Sequence, residues 1–128
     1  MLDHVGFAVS EFDRSKRFYE VALAPLSITL LMELTPQQTG LGSHAGFGAN
    51  GQPFFWIGNH GRPATAVHVA FTAQSRRAVD EFYHAARLVG GRDNGAPGLR
   101  PHYHEHYYGA FVLDPDGNNV EAVCHRPE

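Results

Sequence analysis

Residues 4–9, HVGFAV, alternate: His4, Gly6 and Ala8 fall on one face of an extended chain, Val5, Phe7 and Val9 on the other. A helical period follows from about Asp13, with Phe18, Val21 and Ala22 on one stripe, Ser10 or Asp13 as cap and Pro25 as stop. Apolar stretches at 28–34, 44–48 and 54–58 predict three more strands, and the segments between them are turn-rich. The same order then recurs. Residues 68–73 read as a strand. Ser75 caps a helix with Val79, Phe82, Ala86 and Val89 inside, and Gly90-Gly91 ends it. NGAPGLRP at 94–101 reads as a loop, 107–113 as a strand, DPDG as a tight turn that places Glu121, and 118–124 as the last strand.

The recurrence is also literal. With His4 set on His68 the offset is 68 − 4 = 64, half the chain. Val5 then meets Val69, Phe7 meets Phe71, Phe18 meets Phe82, Tyr19 meets Tyr83 and Ala22 meets Ala86. Strand and helix matches share one register, which marks a duplication. The expected fold is α+β, with two tandem βαβββ modules (about 1–62 and 63–128) in a single domain over residues 1–128. A curved mixed sheet with the helices on its outer side leaves a concavity on the other.

The 128 residues suffice for one domain with a core. No apolar run approaches a membrane span, and the first residues lack the basic-then-apolar pattern of a signal peptide. One cysteine, Cys124, excludes an internal disulfide and fits a reducing, cytoplasmic setting. A net charge of −3 gives no reason to expect a nucleic-acid partner.

Nine histidines change the picture. His4 and His68 stand at equivalent positions, each flanked on its face by small residues that leave space above the ring. Glu121 shares a face with Asn119 and lies between Val120 and Ala122, where an unpaired carboxylate is costly to bury. A divalent ion held by His4, His68 and Glu121 satisfies all three and keeps positions open for water or substrate. The competing reading is three satisfied polar residues in strands.

RPHYHEHYYGAF is the other unusual stretch. If extended, it puts His102, His104 and His106 on one face and Tyr103, Glu105 and Tyr107 on the other. Imidazoles there suit proton transfer, with His104 and Tyr108 the expected catalytic members; His102, Tyr103 and Tyr107 suit substrate oxygens. One of these histidines is also available as a fourth metal ligand, and a solvated loop is the alternative to all of this. Arg100 suits a substrate carboxylate or phosphate, or solvent. At an offset of 64, Ile57 stands opposite Glu121, so Ile57 and Phe55 face the cavity and Trp56 packs under the helices; a bulge reverses that assignment.

Three stretches, LDHVGFAVSEFDRSKRFY, VHVAF and FVLDPDGNNVEAV, resemble the vicinal oxygen chelate superfamily, which includes glyoxalase I, bleomycin-resistance proteins and extradiol dioxygenases. The resemblance implies a homodimer, a small-molecule substrate and one divalent ion (Fe, Mn, Co, Ni or Zn) on His4, His68 and Glu121. It implies glyoxalase-like lyase or isomerase chemistry through chelated vicinal oxygens. Ring-opening dioxygenation, thiol transfer and ligand sequestration without turnover are the alternatives. Glyoxalase I has a fourth ligand on the last strand of its first module. Here that strand reads PFFWIG, which offers no ligating side chain at Trp56, Ile57 or Gly58.

Overall fold

The computed structural model describes residues 1–128. Each half folds as βαβββ, as the duplication predicts. The first module comprises β1 (Val5–Ala8), α1 (Phe12–Leu23), a 3₁₀ turn (Ala24–Leu26), β2 (Thr29–Leu34), α2 (Pro36–Thr39), β3 (His44–Ala49) and β4 (Gln52–Gly58). The second comprises β5 (His68–Thr72), α3 (Arg76–Leu88), β6 (Arg92–Leu99), β7 (Tyr108–Leu113) and β8 (Asn119–Cys124). The strands form two four-stranded mixed sheets, ordered β1-β4-β3-β2 and β5-β8-β7-β6. In each, the first strand runs parallel to the last and the other pairs are antiparallel.

The two sheets share no ladder. β1 and β5 are both edge strands, and outside its sheet β1 makes only an isolated bridge from Ala8 to Pro63. The modules join on their helical side instead, where α1 packs on α3. The buried Phe55 ring meets Tyr19 at 4.9 Å and Phe71 of the other module at 5.2 Å. A polar clamp crosses the same seam. The Tyr19 hydroxyl donates to Asp114 Oδ2 at 2.6 Å, and Asp114 Oδ1 accepts from the backbone N–H groups of Asp116 and Asn118. Asn118 donates in turn to the Ala64 carbonyl at 2.8 Å, tying down the linker. The DPDG turn therefore sets the start of β8 and joins the modules.

Several expectations shift. Ser75 caps α3 as predicted, accepting from the Ala78 N–H at 3.1 Å. The N-cap of α1 is Glu11, without a side-chain bond, because Ser10 binds the Asp116 carboxylate instead. Val21 is only half-buried, and Tyr19 takes the buried position. A short helix, α2, occupies the segment read as turns; Thr35 and Gln38 close it with a capping box. The glycine-rich 94–99 is part of β6, not a loop. It is an edge strand with register shifts at Asp93/Gly95 and Gly95/Gly98, where a ladder tolerates Gly and Pro. Residues 101–106 form turns, so the histidine-rich stretch is not extended.

Candidate functional site

The second module presents a carboxylate on the face of its sheet away from the helices. β5 and β8 are in register with Ala70 beside Glu121, and Phe111 of β7 lies across from Glu121 on the other side. This alternation sends Val120, Ala122 and Cys124 into the core and Glu121 to the concave face. Glu121 is 1% exposed, yet both its oxygens are used. His68 Nε2 lies 2.9 Å from Oε1, and the Tyr107 hydroxyl donates to Oε2. Gly109 makes the room: a Cβ there would come within 3.1 Å of the Tyr107 ring and 3.3 Å of the carboxylate. Desolvation first, and the bond to Glu121 second, push the Tyr107 hydroxyl well above its ordinary value, so it stays protonated.

This arrangement fits part of a metal site. A carboxylate and an imidazole meet on a concave face, and the His68 side chain remains about half exposed (53%). His4 does not join them. It precedes β1 on the other sheet, where its Nδ1 lies 2.7 Å from Asp3, and no three His, Cys, Asp or Glu side chains of one chain are grouped so as to hold a metal ion. The reason is architectural: β1 and β5 edge different sheets, so equivalent positions open onto different concavities.

Beside His68 and Glu121 is a smaller hollow of about 290 Å³, lined by Asn94, Gly95, Arg100, Tyr103, Phe111 and Asn119. The Phe111 ring is 6.2 Å from the His68 ring on one side and 5.5 Å from the Arg100 guanidinium on the other. Arg100 is braced by one bond, Nη2 to the Ala96 carbonyl at 2.7 Å. Tyr103 stacks edge-on against Tyr107 at 5.1 Å. Arg100, Tyr103 and Tyr107 thus border the concavity.

Other expected site residues lie elsewhere. His102 and His104 are exposed on the turn; His102 rests on Tyr103 at 4.2 Å and His104 on His125 at 5.4 Å. Tyr108 faces the helices, because it alternates with Gly109. Its hydroxyl donates to Asp80 of α3 at 2.7 Å and its ring lies under Arg76 at 5.3 Å, so it is no member of the concave face. Desolvation, then the bond to Asp80, raises its hydroxyl as well. Phe55 and Ile57 are fully buried and face the core, away from the concave side of the sheet that carries Trp56. The residue of β4 equivalent to Glu121 is Trp56, which sits beside Gly6 as Glu121 sits beside Ala70. The offset there is 121 − 56 = 65, one more than in the first strands. Length differences in the connections ahead of the hairpins add the residue, and one residue reverses every side chain of a strand.

The concave face of the first module is therefore built differently. A cavity of about 540 Å³ is bordered by His4, Leu34, Thr39, Leu41, His44 and Trp56. The indole lies across Gly46, where a Cβ would approach it to 2.8 Å. His44 packs its ring on Gly58, and its buried Nδ1 has no hydrogen-bond partner in the chain. Sequence reading missed both Trp56 and His44. The signal available was the glycine alternation in HAGFGA, which faces a bulky neighbour.

A family model described as the Glyoxalase/Bleomycin resistance protein/Dioxygenase superfamily matches residues 1–122. The chain belongs to this superfamily. Among solved structures, a glyoxalase/bleomycin resistance protein from Albidiferax ferrireducens T118 is 29% identical, with 99% of each chain covered and a TM-score of 0.78. Glyoxalase I from Zea mays is 24% identical with a TM-score of 0.72; 96% of this chain covers 45% of that one. A glutamate-to-glutamine mutant of the fosfomycin resistance protein FosX from Listeria monocytogenes, complexed with Mn(II) and 1S,2S-dihydroxypropylphosphonic acid, is 17% identical with a TM-score of 0.69. It is covered to 90%, against 96% of this chain. These last two likenesses are of fold alone. No curated protein matches the chain. The superfamily's fold accounts for the duplicated modules, and no helix is long and apolar enough to cross a membrane.

Proposed function

We propose that this superfamily member is a metal-dependent, glyoxalase-like enzyme of the lyase or isomerase type, acting on a small molecule with vicinal oxygens. One observation carries the reading: a fully buried glutamate is tied to a half-exposed histidine on a concave face, while the equivalent histidine of the first module stands apart. His68 and Tyr107 occupy both oxygens by hydrogen bonds, and a cation at this point would also balance the charge of the buried carboxylate.

His68 and Glu121 of one chain, with His4 of a second copy, would hold the ion. The unpaired edges of β1 and β5 are the natural meeting line for two copies, because exposed strand edges favour further pairing. Both strands also border one mainly apolar cleft of about 390 Å³ that includes Leu2, Val5, Val69 and Phe71. When bound, a divalent ion with three protein ligands polarises substrate oxygens as a Lewis acid. The protein's own part is positional. Tyr107 fixes Glu121 through its hydroxyl, Phe111 shields His68 from the side, and Arg100 offers a cation to an anionic substrate group.

Trp56, in the fourth-ligand place, supports a second reading: a protein that binds an organic molecule without turnover. The deciding measurement is metal content by mass spectrometry, on protein purified without a chelating tag, beside a Glu121→Gln variant. About one ion per chain in the parent and none in a folded variant supports the enzyme. No ion after exposure to several divalent metals overturns it in favour of the binder.

A further inference from the structure

We propose that Trp56 determines substrate specificity: its indole is the platform on which an aromatic ring of the substrate stacks, so the substrate class is aryl compounds carrying their oxygens beside the ring. The inference deepens the proposed function and rests on it for the position of those oxygens. The platform itself rests on the first module alone.

Three observations converge. First, the position across the sheet from Gly46 and beside Gly6, equivalent to Glu121 in the other module, carries the one tryptophan of the chain. Gly46 makes room for the indole and Gly6 for its Cβ. A Cβ on Gly46 would meet the ring at 2.8 Å, and a Cβ on Gly6 would meet Trp56 Cβ at 3.1 Å. The indole is thus laid against backbone, and it is only half-buried, unlike its neighbours Phe55 and Ile57. A half-buried aromatic on a face that contributes nothing to the core is suited to a ligand.

Second, no lysine or arginine lines the cavity above it, and Leu34 and Leu41 share its wall with His4, Thr39 and His44. Leu41 is 58% exposed, and the backbone that carries it is fixed, because Thr39 Oγ1 accepts from the Leu41 N–H at 3.0 Å and donates to the Gly42 carbonyl at 2.8 Å. A preformed wall with an indole and two leucines binds a ring without a large ordering cost. At about 540 Å³ the cavity exceeds the roughly 150 Å³ that suffices for a benzene ring. A phosphate or a peptide carboxylate finds no lysine or arginine on this wall; Arg100 borders the other module's hollow. Third, His44 beside Trp56 keeps a buried nitrogen without a partner. Buried polar atoms are rarely left so, and those that are mark places shaped by something other than stability.

The test uses two 2-oxo acids with the same head group, benzoylformate and pyruvate. Because Trp56 is the only tryptophan, its fluorescence reports ligand arrival directly. Benzoylformate should quench it saturably and bind about tenfold tighter than pyruvate, the gain of one aromatic stack. Ligand-observed NMR extends the measurement to Trp56→Phe, which should keep the preference, and to Trp56→Leu, which should lose it. Equal affinities, or a preference that survives in folded Trp56→Leu, overturn the proposal. The titration is run on chelator-treated and metal-loaded protein. A ring preference in protein that binds no metal leaves the platform standing and removes the metal enzyme. Metal binding without ring preference removes the platform alone.

Discussion

If each site is shared between two copies, defects on opposite sides of the interface must complement. His4→Ala removes the first-module ligand. Glu121→Gln keeps the shape of the buried side chain and an acceptor for Tyr107, but removes the charge. Each variant alone should bind no ion, because every site in its homodimer lacks one ligand. In a mixed dimer one site receives His4 from the Glu121→Gln chain and His68 with Glu121 from the His4→Ala chain. That site is whole, and its twin carries both defects. Equal amounts, dissociated and reassociated at random, give about half mixed dimers, each with one site, hence about 0.25 ion per chain against about 1 for the parent under the same treatment. Native mass spectrometry counts the ions on each species directly, so incomplete exchange does not blur the answer. A mixture that binds no metal, while the treated parent recovers its full complement, refutes the shared site. So would a monomeric parent that holds one ion.

Tyr107→Phe leaves Glu121 Oε2 without its donor; metal affinity should fall about ten- to hundredfold while the fold persists, read by competition with a chromophoric chelator. Tyr19→Phe breaks the 2.6 Å bond to Asp114 across the module seam and should cost about 1–3 kcal/mol, read as a lower urea midpoint at unchanged slope. Burial first, and the Asp114 charge second, raise the Tyr19 hydroxyl well above its ordinary value. An unfolded chain ionises this group near about pH 10 and the folded chain does not, so stability is full below that pH and falls as pH rises above it. The alkaline slope should be shallower in Tyr19→Phe; an identical slope would show that this hydroxyl does not govern alkaline unfolding.

The architecture is legible in the sequence because strand and helix share one offset. His4 and His68 are recognisable as equivalents because 64 holds from the first strand through the helix. The face of Glu121 is legible for a related reason: Val120, Ala122 and Cys124 must be buried, and a strand alternates. The offset does not carry past irregular connections. The lengths of these connections set the parity of β4, and parity decides whether Trp56 or Ile57 faces the cavity. Parity also misplaces Tyr108, which points to α3. The turn at 101–106 removes His102 and His104 from the concave face, because turns do not alternate. That the first-module histidine stands apart from its fellow ligands follows from two sheets instead of one continuous strand array, and no local pattern encodes that division.

The two halves share a backbone plan and have opposite concave surfaces. In the second module the central position of the last strand is a carboxylate, held by imidazole and phenol and opposed by Phe111. In the first module the same position is an indole, opposed by glycine. Moving the indole to the second module is sterically closed. Gly46 provides the space that Trp56 needs, whereas Phe111 fills that space opposite Glu121. A tryptophan at 121 would meet Phe111, and a glutamate at 56 would lie over Gly46 without the tyrosine that holds Glu121. Chelation and ring recognition are thus assigned to different modules by the residue across the ladder. A site that needs both must bring two modules face to face, and with the sheets of one chain unjoined, a second copy supplies the missing face.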